Sequence, residues 1–74
     1  MQYSSRLLRH FRLTIGQNIH RLRSEKRWSL HRLSILTDIP EHLLDHYEVG
    51  KNEIALDELL RIACALKAEV PEFL

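Results

Sequence analysis

The hydrophobic residues of this chain recur every three or four positions, with polar residues between them, along most of its length. That spacing is the period of an amphipathic helix, whereas a half-buried strand alternates at every second position. Only two glycines and two prolines are available to interrupt the pattern. The sequence therefore predicts an all-α protein, and its 74 residues are enough for one small domain with a modest core.

Two successive helices are predicted at the N-terminus. The first lies in residues 1–13, a basic amphipathic segment in which two adjacent serines can cap a helix. Its apolar face consists of Leu7, Leu8 and Phe11. The second helix is expected to begin at Thr14, because Gln17 follows three residues later in a capping-box pattern. We therefore divide the chain into this N-terminal segment and a domain of residues 14–74.

Two short helices, a longer one and a final half-turn are predicted in the rest of the chain. Ser29 is a natural N-cap for a helix over residues 30–37. Pro40 suits the start of the next helix, and Gly50 is placed to end it. A longer amphipathic helix is expected over residues 56–68, and "VPEFL" predicts a last half-turn.

The inward faces of these helices supply the predicted core, which is Ile19, Leu22, Leu33, Leu44, Leu59, Ile62 and Leu66. Leu36 is also expected to point inward, and Ile39 is placed to fill the core from a turn. Phe73 and Leu74 are expected to close the core at the C-terminal end, and Cys64 to be a small, partly buried helix residue.

Composition and motifs exclude several classes of function. A single cysteine rules out an internal disulfide framework, and with scattered histidines it makes no zinc ligand set. His42 and His46 are four residues apart but lack a third ligand at a fixed spacing. No catalytic triad, carboxylate pair or phosphate-binding glycine loop is visible, so we expect neither an enzyme nor a cofactor. No apolar run approaches the roughly 18 residues of a membrane span, so a cytoplasmic protein is expected.

Charge is distributed very unevenly along the chain. The net charge is +1, but residues 1–32 hold eight Arg and Lys against one acidic residue. Residues 33–74 hold nine acidic residues against three basic ones. The basic half suggests an acidic partner such as nucleic acid, and the acidic half suggests the opposite.

Four motifs follow one another along the chain: "IGQNIHRLR", "WSLHRLSILTDIP", "YEVGK" and "LLRIACAL". Their order and spacing over about residues 14–74 resemble the phage-repressor-like, or Xre, helix-turn-helix family. The resemblance implies a compact five-helix, lambda-repressor-like DNA-binding domain, here with an additional N-terminal helical or arm segment. It also implies a transcriptional regulator that works as a homodimer and reads operator DNA with the helix at about residues 40–48.

Some positions match the family pattern and others depart from it. Arg23 and Glu48 match positions where family members commonly pair the first helix with the end of the third. Ser29 matches the N-cap of the second helix, whose free amides normally meet a phosphate. Leu30 stands where the family typically has a glutamine that grips the DNA backbone, and Asp38 replaces the usual turn glycine. At the base-reading positions this chain has Glu41, His42, Asp45 and His46.

The helix expected to read bases is therefore acidic, although it has to approach phosphates. The cations must come from other segments, and the candidates for phosphate contact are Arg6, Arg9, Arg12, Lys26, Arg27, Ser29, Arg32 and Lys51. The arginine stripe of residues 6–12 also fits a solvated helix face.

Two hypotheses follow from the acidic helix. One is a selective reader of double-stranded DNA that is anchored from its flanks. The other is a protein-interaction module on the same fold, antitoxin-like, antirepressor-like or self-assembling, whose acidic half docks on a basic surface of a protein partner.

Overall fold

The computed structural model describes residues 4–74. Within this range the chain forms α-helices and no strand. The elements are α1 (Ser5–Glu25), α2 (Leu30–Thr37), α3 (Glu41–Glu48), α4 (Leu56–Leu66) and a 3-10 turn (Val70–Phe73). The prediction of an all-α fold is confirmed. The expected five helices are replaced by four α-helices and the 3-10 turn.

α1 is one continuous helix of 21 residues, so the prediction of a separate helix that begins at Thr14 is wrong. Ser4 is the N-cap, and its hydroxyl accepts a hydrogen bond from the amide of Leu7 at 3.1 Å. The helix contains no proline and runs unbroken through Leu13 and Thr14, so the amides after Thr14 already bond to carbonyls of the preceding turn and need no cap. The capping-box pattern is therefore overridden by the helix around it.

The division between residues 1–13 and 14–74 stays a prediction. Its boundary falls inside α1, and residues 1–3 lie outside the described residues. The described part of the segment carries exposed large hydrophobic side chains, which are Leu7, Leu8, Phe11 and Leu13. No helix within residues 4–74 is apolar over the length that a membrane crossing requires.

Gly16 sets the distance between α1 and α3. It is buried, and a Cβ atom at this position would lie 2.7 Å from the carbonyl oxygen of Glu48 and closer still to that of Tyr47. A side chain cannot fit there unless the two helices move apart. Glycine inside a helix costs about 1 kcal/mol relative to alanine, and the close contact offsets this cost.

The predicted core is confirmed. All of its members are buried, namely Ile19, Leu22, Leu33, Leu44, Leu59, Ile62 and Leu66. Ile39 and Phe73 are buried as expected, and Tyr47 and Ala63 complete the cluster. Each helix therefore contributes at least one side chain to one continuous core.

Three predictions about burial are wrong. Leu36 is 51% exposed, because α2 turns Leu33 and Thr37 toward the core and leaves Leu36 at the edge of that face. Leu74 is 61% exposed, because Phe73 already fills the space at the end of the chain. Cys64 is exposed, since the inward face of α4 passes through Ala63 instead.

We expect Gly16→Ala to lower the free energy of unfolding. Alanine is the better helix former by about 1 kcal/mol, so an unobstructed alanine would raise it. Here the new Cβ meets backbone carbonyls that no side-chain rotation can move. Urea unfolding of the variant measures the difference. Gln17→Ala, at the next and exposed position, is the matched control and should be neutral or stabilising. A Gly16→Ala protein as stable as the parent would contradict the close contact.

Candidate nucleic-acid interface

The turn between α2 and α3 is held in place although it contains no glycine. Asp38 adopts the left-handed conformation (φ 58°), which aspartate tolerates better than most residues. Ile39 is only 1% exposed and anchors the turn in the core. The Ser34 hydroxyl donates to the Ile39 carbonyl at 2.6 Å, and the Thr37 hydroxyl donates to the Leu33 carbonyl at 2.7 Å. The two helices therefore form a rigid helix-turn-helix.

Ser29 is the N-cap of α2. Its hydroxyl accepts a hydrogen bond from the Arg32 amide at 3.0 Å. The first amides of a helix have no partner within the helix, so the start of α2 offers N–H donors to an anion. Leu30, which stands in place of the family's glutamine, is partly buried and packs against the core.

Basic side chains gather around Trp28 at the start of α2. The Lys26 ammonium lies 5.4 Å from the centre of the indole ring, and the Arg32 guanidinium lies 5.0 Å from it. Arg27 is exposed and has a positive φ of 59°. We call Lys26, Arg27, Ser29 and Arg32 the basic cluster at the α1–α2 corner. Arg27, Ser29 and Arg32 line one surface cavity there.

The second group of basic candidates lies at the other end of α1. Arg6 and Arg9 are exposed, whereas Arg12 is half-buried and its guanidinium lies 3.5 Å from Glu53. This contact brings the N-terminal half of α1 to the loop after α3, where Lys51 is exposed. At 1.5 Å per residue, the two basic groups are roughly 20–30 Å apart along α1.

α3 presents most of the base-reading candidates to solvent. Glu41, His42 and Asp45 are exposed, and His46 is half-buried. The Nδ1 atom of His46 is shielded from solvent and has no hydrogen-bond partner within residues 4–74. The rings of His42 and His46 meet edge to face at 6.1 Å. His46 is therefore less accessible to a ligand than the other three.

Arg23 and Glu48 join the scaffold to the end of α3, as the resemblance implies. The Arg23 Nε donates to Glu48 Oε2 at 2.6 Å and its Nη2 donates to Oε1 at 2.9 Å, so the pair is bidentate. A further hydrogen bond runs from Arg23 Nη1 to the Trp28 carbonyl at 2.7 Å. One guanidinium thus connects α1, α3 and the corner that carries the basic cluster.

The ion pair is shielded from water, with side-chain exposures of 13% for Arg23 and 6% for Glu48. Burial by itself raises the pKa of Glu48, but hydrogen bonds from Arg23 and His20 outweigh it and hold this pKa below its ordinary value. On the other side of the pair, the hydrogen bond to Glu48 raises the pKa of the Arg23 guanidinium. Both groups are therefore held in their charged forms.

Tyr47 connects α3 to α4. Its hydroxyl donates to Glu58 Oε1 at 2.6 Å, and burial together with this hydrogen bond raises the pKa of Tyr47 to about 12. The phenol therefore stays protonated and able to donate at any physiological pH.

Sequence reasoning missed two histidines beside the carboxylates of α3. His20 Nδ1 lies 3.0 Å from Glu48 Oε1, and His31 Nδ1 lies 3.9 Å from Glu41 Oε1. The first had a signal in the sequence, because His20 precedes Arg23 by three residues and shares its helix face. The contact of His31 depends on the packing of α2 against α3. Across residues 4–74, no three His, Cys, Asp or Glu side chains are grouped to hold a metal ion.

Fold and interface together resemble those of helix-turn-helix regulators of the phage-repressor type, and two solved structures support this resemblance. The chain is similar to the restriction-modification controller protein C.AhdI from Aeromonas hydrophila, with 27% identity, a TM-score of 0.82, and coverage of 85% of this chain and 96% of that chain. It is also similar to the clp gene regulator ClgR from C. glutamicum, with 24% identity, a TM-score of 0.81, and coverage of 85% and 82%. No protein-family model matches the chain, and no curated protein sequence matches it.

We expect the Arg23–Glu48 pair to appear as a coupling in stability measurements. A double-mutant cycle with Arg23→Ala and Glu48→Ala should give a coupling free energy of about 0.5–3 kcal/mol, because each single change leaves the other charge shielded and unpaired. Urea unfolding of the four proteins measures it. Additive losses would mean that the bidentate contact contributes nothing to stability.

The same pair should make stability depend on pH in the acid range. The pKa of Glu48 is lower in the folded chain than the ordinary value of about 4.3 in an unfolded one. Its contribution is therefore fully present above that ordinary value and is lost as pH falls through the lower folded value. We expect Glu48→Gln to reduce the loss of stability between about pH 5 and pH 2, as followed by urea unfolding at each pH.

Proposed function

We propose that this protein is a DNA-binding transcriptional regulator that places α3 in the major groove. The observation that carries the proposal is the arrangement around α3. A rigid helix-turn-helix exposes Glu41, His42 and Asp45, and α1 places basic groups at both of its ends. The similarity to C.AhdI, which is a restriction-modification controller, supports the proposal. The proposed activity is binding in the cytoplasm, without catalysis.

The exposed side chains of α3 have the chemistry to read base edges. Glu41 can accept a hydrogen bond from the cytosine N4 amino group, and His42 can donate to the acceptors of guanine. Carboxylates in a groove also select by rejection, because they are repelled by phosphates and by wrongly placed acceptors. In this proposal α3 supplies selectivity and little affinity.

The basic groups supply the affinity that α3 lacks. The cluster at the α1–α2 corner combines Lys26, Arg27 and Arg32 with the capped start of α2, which is suited to a phosphate. Arg6 and Arg9 at the other end of α1 make no ion pair within residues 4–74 and are free to meet a second stretch of phosphates. α3 contacts α1 at Gly16 and Arg23, and both positions lie between the two basic groups along the chain.

We further propose that the regulator acts as a homodimer. Helix-turn-helix proteins commonly bind two half-sites with two copies. Leu56 is 70% exposed and Leu60 is 49% exposed, and they lie one turn apart on α4. This pair of apolar side chains is suited to pack against a second copy, and sedimentation of a Leu60→Glu variant tests it.

The proposal predicts which residues control the dependence of DNA binding on salt. Each cation that neutralises a phosphate adds about 0.9 to the slope of log affinity against log salt. Replacing Arg6 and Arg9 by Gln should weaken binding to every sequence and flatten the slope by about 2. Gel retardation of random-sequence duplex DNA over a salt series measures both quantities. Arg21→Gln is the control, because it removes a charge from an exposed position that is not among the candidate phosphate contacts, and it should leave the slope nearly unchanged.

α3 should behave differently in the same assay. Glu41→Gln removes a charge that phosphates repel, so non-specific binding should become equal or tighter while the preferred base at one position changes. Selection of bound sequences from the random pool shows the preference. A well-folded protein that binds no DNA at about 50 mM salt would exclude the regulator. Loss of a protein partner after charge reversal of Glu41 and Asp45 would then favour the interaction module.

A further inference from the structure

Four of the five histidines of the chain gather on or beside α3. His42 and His46 belong to α3 itself. His20 of α1 contacts Glu48 at 3.0 Å, and His31 of α2 lies 3.9 Å from Glu41. The fifth, His10, lies in the N-terminal half of α1, where its ring contacts Phe11.

The carboxylates of α3 form a row that these histidines flank. Glu41, Asp45 and Glu48 follow one another at intervals of four and three residues, so they lie along one side of the helix. His31 lies beside Glu41, the first carboxylate of the row, and His20 lies beside Glu48, the last. Asp45, between them, lines the same shallow surface cavity as His20. Helices α1, α2 and α3 thus bring imidazoles and carboxylates together on the face proposed to meet DNA.

The charge of this face depends on the protonation of its histidines. An imidazole ordinarily gains its proton between pH 5 and 8, the range in which carboxylates remain ionised. With neutral imidazoles, the face presents the exposed charges of Glu41 and Asp45 to the phosphates. With charged imidazoles, His31 and His42 balance those two carboxylates. A phosphate close to an imidazole favours its charged form, so binding and protonation assist each other.

We propose that His31 and His42, assisted by His20, are the cationic contacts of the α3 face, and that this face takes up protons when it binds DNA. The inference rests on the proposed function. It adds these histidines to the proposed DNA contacts, and it makes DNA affinity depend on pH. His31 is 74% and His20 60% exposed at the side chain, so both can reach a phosphate. His46 is not included, because it is half-buried and its Nδ1 is shielded from solvent.

The charges around each histidine come from several elements. Arg27 and Arg32 line the same cavity as His31 and place positive charge beside it, whereas the carboxylate of Glu41 in α3 lies 3.9 Å away. For His20 the neighbouring positive charge is that of Arg23, and the neighbouring negative charges are those of Glu48 and Asp45. His42 has its neighbours on its own helix, where Glu41 and Asp45 flank it in sequence and the His46 ring meets it at 6.1 Å. A bound phosphate would add a negative charge to the surroundings of each histidine.

The scaffold does not change in the pH range of the test. Hydrogen bonds from Arg23 and His20 hold the pKa of Glu48 below its ordinary value, so this carboxylate stays ionised above about pH 5. The Arg23–Glu48 pair therefore holds α3 in place at both ends of the range. Circular dichroism at each pH checks that the fold is the same.

The experiment measures binding of random-sequence duplex DNA at about pH 6 and about pH 8, with a salt series at each pH. Affinity should be at least roughly tenfold higher at the lower pH, which over two pH units corresponds to an average uptake of about half a proton or more on binding. The salt slope should also be steeper there, by about 0.9 for each histidine that meets a phosphate. Replacing His31 and His42 together by Gln should remove most of both effects, and His20→Gln a smaller part.

His10→Gln is the comparison variant, because it removes an exposed histidine that lies beside Arg6 and Phe11 and not beside a carboxylate of α3. It should keep the full pH dependence. Equal affinity and equal salt slope at both pH values would overturn the inference and leave the proposed function standing. A pH dependence that survives in the His31→Gln, His42→Gln protein, or that disappears with His10→Gln, would overturn the assignment to the α3 face. A folded protein that binds no DNA at either pH would overturn the proposed function as well.

Discussion

The contact between α1 and the C-terminal end of α3 is the constraint on which the rest of the interface depends. It combines two kinds of interaction at one place. The absence of a side chain at Gly16 lets the backbones of the two helices touch, and Arg23 holds the Glu48 carboxylate by two hydrogen bonds a short distance along α1. Because Arg23 also binds the Trp28 carbonyl, the same contact fixes the basic cluster relative to α3. The distance between the proposed reading helix and a proposed phosphate anchor is therefore set by one partly buried side chain, that of Arg23.

Rigid placement matters more in this chain than it would with a basic α3. A helix rich in lysine and arginine is attracted to DNA in many orientations, whereas one that carries carboxylates is repelled unless its acceptors meet donors. The turn before α3 is fixed by buried Ile39 and by the Ser34 hydrogen bond, even though Asp38 replaces the glycine of the family pattern. Aspartate can adopt the left-handed conformation that the turn needs, so losing glycine changes the local charge without changing the path of the chain.

The sequence predicted the features that depend on local periodicity. It did not predict the features that depend on packing between residues far apart in the chain. The core positions from Ile19 to Leu66 and the cap at Ser29 follow from hydrophobic spacing and local hydrogen bonding, and they are where they were expected. Thr14 shows the limit of a local signal, because a good capping box does not start a helix inside a longer one. Leu36 and Leu74 satisfy the apolar pattern, but Thr37 and Phe73 take the space. The contact of His31 with Glu41 joins two helices whose mutual orientation no sequence pattern specifies.

α3 exposes fewer negative charges than the number of its acidic residues suggests. Of the carboxylates at Glu41, Asp45 and Glu48, the last is 6% exposed and is neutralised by Arg23, so it belongs to the scaffold. Two exposed carboxylates remain, and one of them has His31 at 3.9 Å. With neutral imidazoles, the proposed DNA-facing side of α3 therefore carries a negative charge of at most about two. The basic groups at the two ends of α1, a helix roughly 30 Å long, oppose this charge. Because the proposed arginine and lysine contacts to phosphate lie on other elements than the proposed base contacts of α3, affinity and selectivity can change independently, and an acidic reading helix is compatible with binding.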